Sequence, residues 1–135
     1  MTMKSKETEN KIDQLLKNYS TTPPDKFFEI LRELNDLHAK AKLKKETLKS
    51  EYEHKKAIFK NSFALEHTKI SDASLERIAL SIPELYRLKL KIGIYDAEED
   101  YYSQEIEDLI EFINLIKLER RIEAKLGGEI WQKKN

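Results

Sequence analysis

The longest regular pattern in the chain lies in its C-terminal half. Leu85, Leu88, Ile92, Tyr95, Glu99, Tyr102, Ile106, Leu109, Ile113 and Ile116 follow one another at alternating steps of three and four residues. That spacing keeps one face of an α-helix apolar, and only Glu99 departs from it. Ser81 and Glu84 have the spacing of a capping box, with Pro83 in the first turn. Leu126 followed by Gly127-Gly128 reads as a helix end. The pattern predicts a long helix over 83–126 and a tail over 127–135. Upstream, Ile30, Leu34, Leu37, Ala41, Leu48, Tyr52, Phe59 and Phe63 keep heptad steps, with the skipped seam places at Lys45 and Lys55. They predict a second long helix over 25–67. Ile12, Leu15, Leu16 and Tyr19 predict a short helix over 5–19, ended by the Pro23-Pro24 pair. Leu75, Ile78 and Ala79 predict another over 72–80, capped by Ser71. Two long helices of similar length with a short connection favour an antiparallel hairpin. The expected fold is all-α: a single domain, 1–135, built as a helical hairpin with a short N-terminal helix and a short helix at the tip.

The last helix carries more apolar surface than one stripe needs. In "IEDLIEFINLIKL" (106–118), eight of thirteen residues are apolar. A second stripe runs through Leu90, Ile94, Ala97 and Tyr101, then Ile110, Phe112, Leu115, Leu118 and Ile122. The N-terminal helix offers four apolar side chains against these nine. An uncovered stripe of that size is more than a soluble monomer exposes, so a homo-oligomer is expected. Ile110, Phe112, Leu115, Leu118 and Ile122 are its expected interface.

Composition agrees with long helices. Charged residues make up 37% of the 135, hydrophobic ones 39%, and there are three glycines and three prolines. Cysteine is absent, which excludes disulfides and thiolate chemistry and suits a reducing cytoplasm. No leader-like apolar segment opens the chain and no run is long enough to span a membrane, so no membrane partner is expected.

Charge balances at 25 of each sign, so any nucleic-acid case rests on local distribution. Residues 40–60 hold eight lysines against three glutamates, and residues 96–111 hold eight acids and no base. A hairpin turning between His67 and Glu84 places residues 96–111 beside 55–40, so part of the basic run is expected to pair with the acidic one. Lys55, Lys56, Lys60, Lys69, Arg77, Arg87, Lys89 and Lys91 collect toward the expected tip, with Phe59, Phe63, His67 and Tyr86 among them. Cations for phosphates and rings for bases are what single-stranded nucleic acid requires. These eight are the candidate nucleic-acid-binding residues; a solvated basic surface is the plainer reading.

His38, His54 and His67 are too far apart in sequence for a helical metal pair, so no metal or other cofactor is expected. Glu98, Glu99 and Asp100 read as a solvated face rather than as acid–base catalysts, since no pocket is evident. No nucleophile–base set or cofactor motif is present, and the chain is expected not to be an enzyme. Gly93, inside the last helix, either permits a close helix approach or marks a bend.

"LKKETLKSEYEHKKAIFKNSF" (43–63) resembles the basic helix of the UvsY-type phage recombination mediators, and "FINLIKLERRIEAKLGGE" is similar to their C-terminal assembly helix. The likeness spans roughly residues 40–128 and is one of pattern and charge. It implies a small helical protein that oligomerises through its C-terminal region. Such a protein binds single-stranded DNA coated by a single-strand-binding protein and helps load a RecA-type recombinase, in the cytoplasm of a phage-infected cell. The family's DNA contact is associated with a Lys-x-Arg in the basic helix. This chain has Phe59-Lys60-Asn61 there, so Lys60 keeps one charge and the others come from Lys55, Lys56 or the tip. The rival expectation is a helical adaptor or chaperone that binds a protein through the spare stripe and no nucleic acid.

Overall fold

The computed structural model describes residues 3–67 and 69–134, with side chains described for 6–67 and 69–127. Four helices follow in order: α1 (Met3–Lys17), α2 (Pro24–Glu66), α3 (Asp72–Ser81) and α4 (Pro83–Lys134). All regular structure among the described residues is helical. Pro24 opens α2, where its missing N–H costs nothing, and Asp25 in the first turn suits the helix dipole. Ser71 caps α3 by accepting from the Ser74 N–H at 3.2 Å.

Contacts divide the chain into two compact units, Met1–Leu37 with Tyr101–Asn135, and His38–Asp100. In the first, the heptad positions Phe27, Ile30, Leu34 and Leu37 of α2 are buried, as are Tyr102, Leu109, Ile113 and Ile116 of α4. Leu34 is 1% exposed. Polar links tie α1 to its neighbours. Glu33 of α2 takes Lys11 at 2.7 Å and the Thr8 hydroxyl at 3.5 Å, and Tyr101 of α4 donates to Glu9. The second unit is built on Tyr52, Ala79, Leu85 and Leu88, with Leu48, Phe59, Ile82 and Ile92 packed around them. Here α3 lies against the end of α2. Lys60 reaches Asp72 and Glu76, both at 2.8 Å, and Lys56 reaches Glu76 at 3.5 Å.

Helices α2 and α4 pack side by side in both units, and in the second their direction is antiparallel, since Lys45 meets Asp96 and Glu99 while Lys55 meets Glu84. Their register differs from the expected one. Glu99 should have faced residue 52 and faces Lys45, and Glu84 should have faced residue 67 and faces Lys55, so α4 is displaced along α2 by roughly two to three turns. Helix α3 occupies the flank of the last turns of α2, and α4 begins level with Lys55. Asp96 and Glu99 of the acidic run join the basic run through Lys45.

Two further expectations are corrected, and of the two alternatives for Gly93 one is removed. The Ser81–Glu84 capping box does not form. Ser81 ends α3 with its hydroxyl donating to the Ile78 carbonyl at 2.6 Å, and Glu84 is taken by Lys55. The Gly127-Gly128 stop is not used, because α4 continues to Lys134 without a positive-φ glycine among the described residues. The side chains of 128–135 lie outside the described residues. Gly93 marks no close approach, since a Cβ built there meets nothing within 4 Å.

Candidate nucleic-acid interface

All eight candidate cations fall in the second unit, and the structure separates them into two sets. Lys55, Lys56 and Lys60 on α2 are engaged by carboxylates. Lys55 binds Glu84 at 2.5 Å and Glu51 at 3.1 Å; Lys56 binds Glu53 at 3.2 Å and also the more distant Glu76; Lys60 bridges Asp72 and Glu76. The hydrogen bonds from Asp72 and Glu76 push the Lys60 ammonium up to about 12, and Glu76 is held below the usual carboxylate range by Lys60. Their charge is largely answered within the chain, and their role there is to fasten α3 and the start of α4 to α2.

Lys69, Arg77, Arg87, Lys89 and Lys91 are exposed, and none takes part in an ion pair or hydrogen bond among the described residues. Lys69 precedes α3 and Arg77 lies on it; the other three occupy two turns of α4. At 100° per residue, Arg87 and Lys91 stand on one flank of the row Tyr86, Leu90 and Ile94, and Lys89 stands on the other. Tyr86, Leu90 and Ile94 are 54%, 51% and 59% exposed. The row therefore presents a ring and two aliphatic side chains between cations, while Leu85 and Leu88 on the other side of the same turns are buried.

The rings expected on α2 behave differently. Phe59 and Phe63 contact each other at 5.6 Å between centroids, and Phe63 stacks on His67 at 4.3 Å and 7°. Phe59 packs against the core, so it is not a platform for bases. The pairing of α2 lysines with α3 had a signal in the sequence: Lys56 and Lys60 are four apart, as are Asp72 and Glu76, the spacing at which two helices present matching charge rows.

Of the expected oligomer interface, Ile110, Leu115, Leu118 and Ile122 are exposed, by 42%, 63%, 51% and 51%. Phe112 is corrected: it is half-buried inside its own chain, edge-on to Tyr19 at 5.8 Å and tilted against Phe27 at 6.2 Å. Tyr101, from the same stripe, is engaged by Glu9. The N-terminal segment thus covers part of the second stripe and leaves the rest open. Every described side chain from Lys117 to Gly127 is exposed. No group of three His, Asp or Glu side chains suited to a metal exists among the described residues, and no described helix is long and apolar enough to cross a membrane.

No family model, no curated protein and no solved structure matches this chain.

Proposed function

We propose that the protein is a non-enzymatic accessory factor of the UvsY type in phage recombination, which binds single-stranded DNA as a homo-oligomer and helps load a RecA-type recombinase onto strands coated by a single-strand-binding protein. The observation that carries the DNA part is the set of exposed cations without partners, Arg87, Lys89 and Lys91, around the exposed Tyr86. Phosphates meet charges already free of intramolecular carboxylates, so binding does not first break an ion pair. A base stacks on the Tyr86 ring, a contact that tolerates any sequence. Lys69 and Arg77 extend the positive potential. Oligomerisation through the open part of α4 multiplies such contacts, and weak sites on linked subunits add by avidity.

Fluorescence anisotropy with a labelled oligo-dT tests this reading. Binding at low salt that weakens linearly in the logarithm of salt concentration supports it. Absence of binding at low salt and high micromolar protein rejects it. The exposed row Leu90 and Ile94 favours the second reading, an adaptor that docks a protein. That reading keeps partner capture when Arg87 and Lys91 are replaced by alanine, whereas the first loses DNA binding.

A further inference from the structure

We propose that two copies of the chain pair antiparallel through α4, about a two-fold axis at Asn114. The inference deepens the self-association part of the reading above and rests on no DNA contact.

The surface in question is a single ridge. Ile106, Ile110, Asn114, Leu118 and Ile122 stand four residues apart, the row that interdigitates when two helices cross. Ile110, Leu118 and Ile122 are exposed and Ile106 half-exposed. The buried residues Tyr102, Leu109, Ile113 and Ile116 lie about 100° or more round the helix from Asn114, while Ile106 borders their face, and Phe112 is turned toward Tyr19 and Phe27. From Ile110 to Ile122 the ridge is therefore open.

What identifies the occupant is the chemistry on either side of Asn114. Four residues away lie Ile110 and Leu118; eight away, Ile106 and Ile122. Three away lie Glu111 and Lys117, six away Asp108 and Arg120, seven away Glu107 and Arg121. Apolar mirrors apolar, and acid mirrors base three times. A two-fold interface brings residue i of one copy to residue j of the other and j to i, so Ile110 with Leu118, Glu111 with Lys117 and Glu107 with Arg121 each occur twice, while Asp108 and Arg120, about 120° round the helix from Asn114, stay outside it. Parallel pairing would instead set Glu107, Glu111, Lys117 and Arg121 each against its own copy. On the axis the two Asn114 amides face each other, and an amide both donates and accepts, so it satisfies itself and fixes the register. The existing contacts leave this possible. Lys117 lies over the Phe28 ring at 5.8 Å, Arg120 donates to the Thr22 carbonyl at 3.5 Å, and Asp108 accepts from Gln104 at 2.9 Å, all of them at the surface.

The chain has no cysteine, so single cysteines report directly. Full-length Ile110→Cys and Leu118→Cys, mixed and mildly oxidised, should cross-link to each other, while each alone stays largely unlinked. Two copies of residue 110 would sit about 12 Å apart along the axis, beyond disulfide reach. Asn114→Cys should link to itself. As a second measurement, the charge reversals Glu107→Lys/Glu111→Lys and Lys117→Glu/Arg121→Glu, each checked for helicity, should each reduce the mass seen by light scattering, and their mixture should restore it. Self-linking of Ile110→Cys as fast as the mixed pair overturns the proposal. So does a single-chain mass for the unaltered protein at high micromolar concentration. A chain that pairs as described but ignores oligo-dT rejects only the DNA reading.

Discussion

Lys45 and Glu99 each interrupt the apolar heptad of their own helix, and they meet. The ammonium contacts Glu99 Oε2 and lies 3.2 Å from Asp96, with 12% of the lysine side chain and 16% of the glutamate side chain exposed. His38 stands 3.9 Å from the same carboxylate. A charge in a helical seam costs stability relative to an apolar pair but marks one register among those a heptad permits. Lys45→Leu or Glu99→Leu alone should lower the melting temperature, because each leaves its partner half-enclosed. The double replacement should recover the loss. Thermal melts in a double-mutant cycle check this, and additive effects would show that the pair is not coupled.

Gly93 sits in the interior of α4, exposed, with open space where a Cβ would be. Glycine there only enlarges the freedom of the unfolded chain. Gly93→Ala should stabilise the protein by about 0.5–1 kcal/mol, read from urea denaturation. A loss instead would mean that the glycine serves a bend or a contact with another molecule.

Leu34 is the best-buried large side chain of the first unit. Leu34→Ala should cost about 2–5 kcal/mol, according to how far the site collapses. Ala79, 0% exposed beside Tyr52, Leu85 and Leu88, has the opposite sensitivity. Ala79→Leu should cost about 1–3 kcal/mol by overpacking. Hydrogen exchange should place the first loss in 24–37 and 101–116 and the second in 48–92.

Acid should act on the two units with opposite sign. Glu76, Glu84 and Glu99 are held below the ordinary 4.5 by Lys60, Lys55 and Lys45. They contribute stability above that value and lose it as pH falls through their lowered ones. Glu105 is pushed up by burial and by the carboxylates of Asp108, Glu9 and Asp13. Its folded state prefers the neutral form, so stability rises as pH falls from neutrality toward 4.5. Glu105→Gln should therefore raise the melting temperature at neutral pH and leave it unchanged near pH 4.5. Glu99→Gln should lower it at neutral pH, with the difference shrinking below 4.5.

Element types and most ends, though not the end of α4, were legible because each helix carries its own period and punctuation: the proline pair at the start of α2, Ser71 before α3, the three–four steps of α4. Register was not legible. A heptad seam looks much the same when one helix slides along the other by whole turns, and the observed position goes with the docking of α3 beside the end of α2, a contact the helical periods do not encode. Gly127-Gly128 misled because glycine permits the left-handed conformation that ends many helices without imposing it, and no described glycine adopts it. The eight cations shared one composition, but only three had acids on a facing helix at matching spacing. Phe112 and Tyr101 read as spare surface because Tyr19 and Glu9, which cover them, come from the far end of the chain.

The division of the cations yields the sharpest functional test. Arg87, Lys89 and Lys91 hold no partner among the described residues, so replacing all three with alanine should leave the melting temperature nearly unchanged. If each meets a phosphate, the slope of log affinity against log salt should fall by about 2, at roughly 0.7 per contact on a single strand. Tyr86→Ala should weaken binding by about 1–3 kcal/mol with the slope kept, since stacking carries no counterion release. Lys60→Ala should do the reverse. It unfastens Asp72 and Glu76, lowers the melting temperature, and changes the slope little. A Lys60 variant that folds as stably as the parent yet flattens the slope would return the DNA contact to α2.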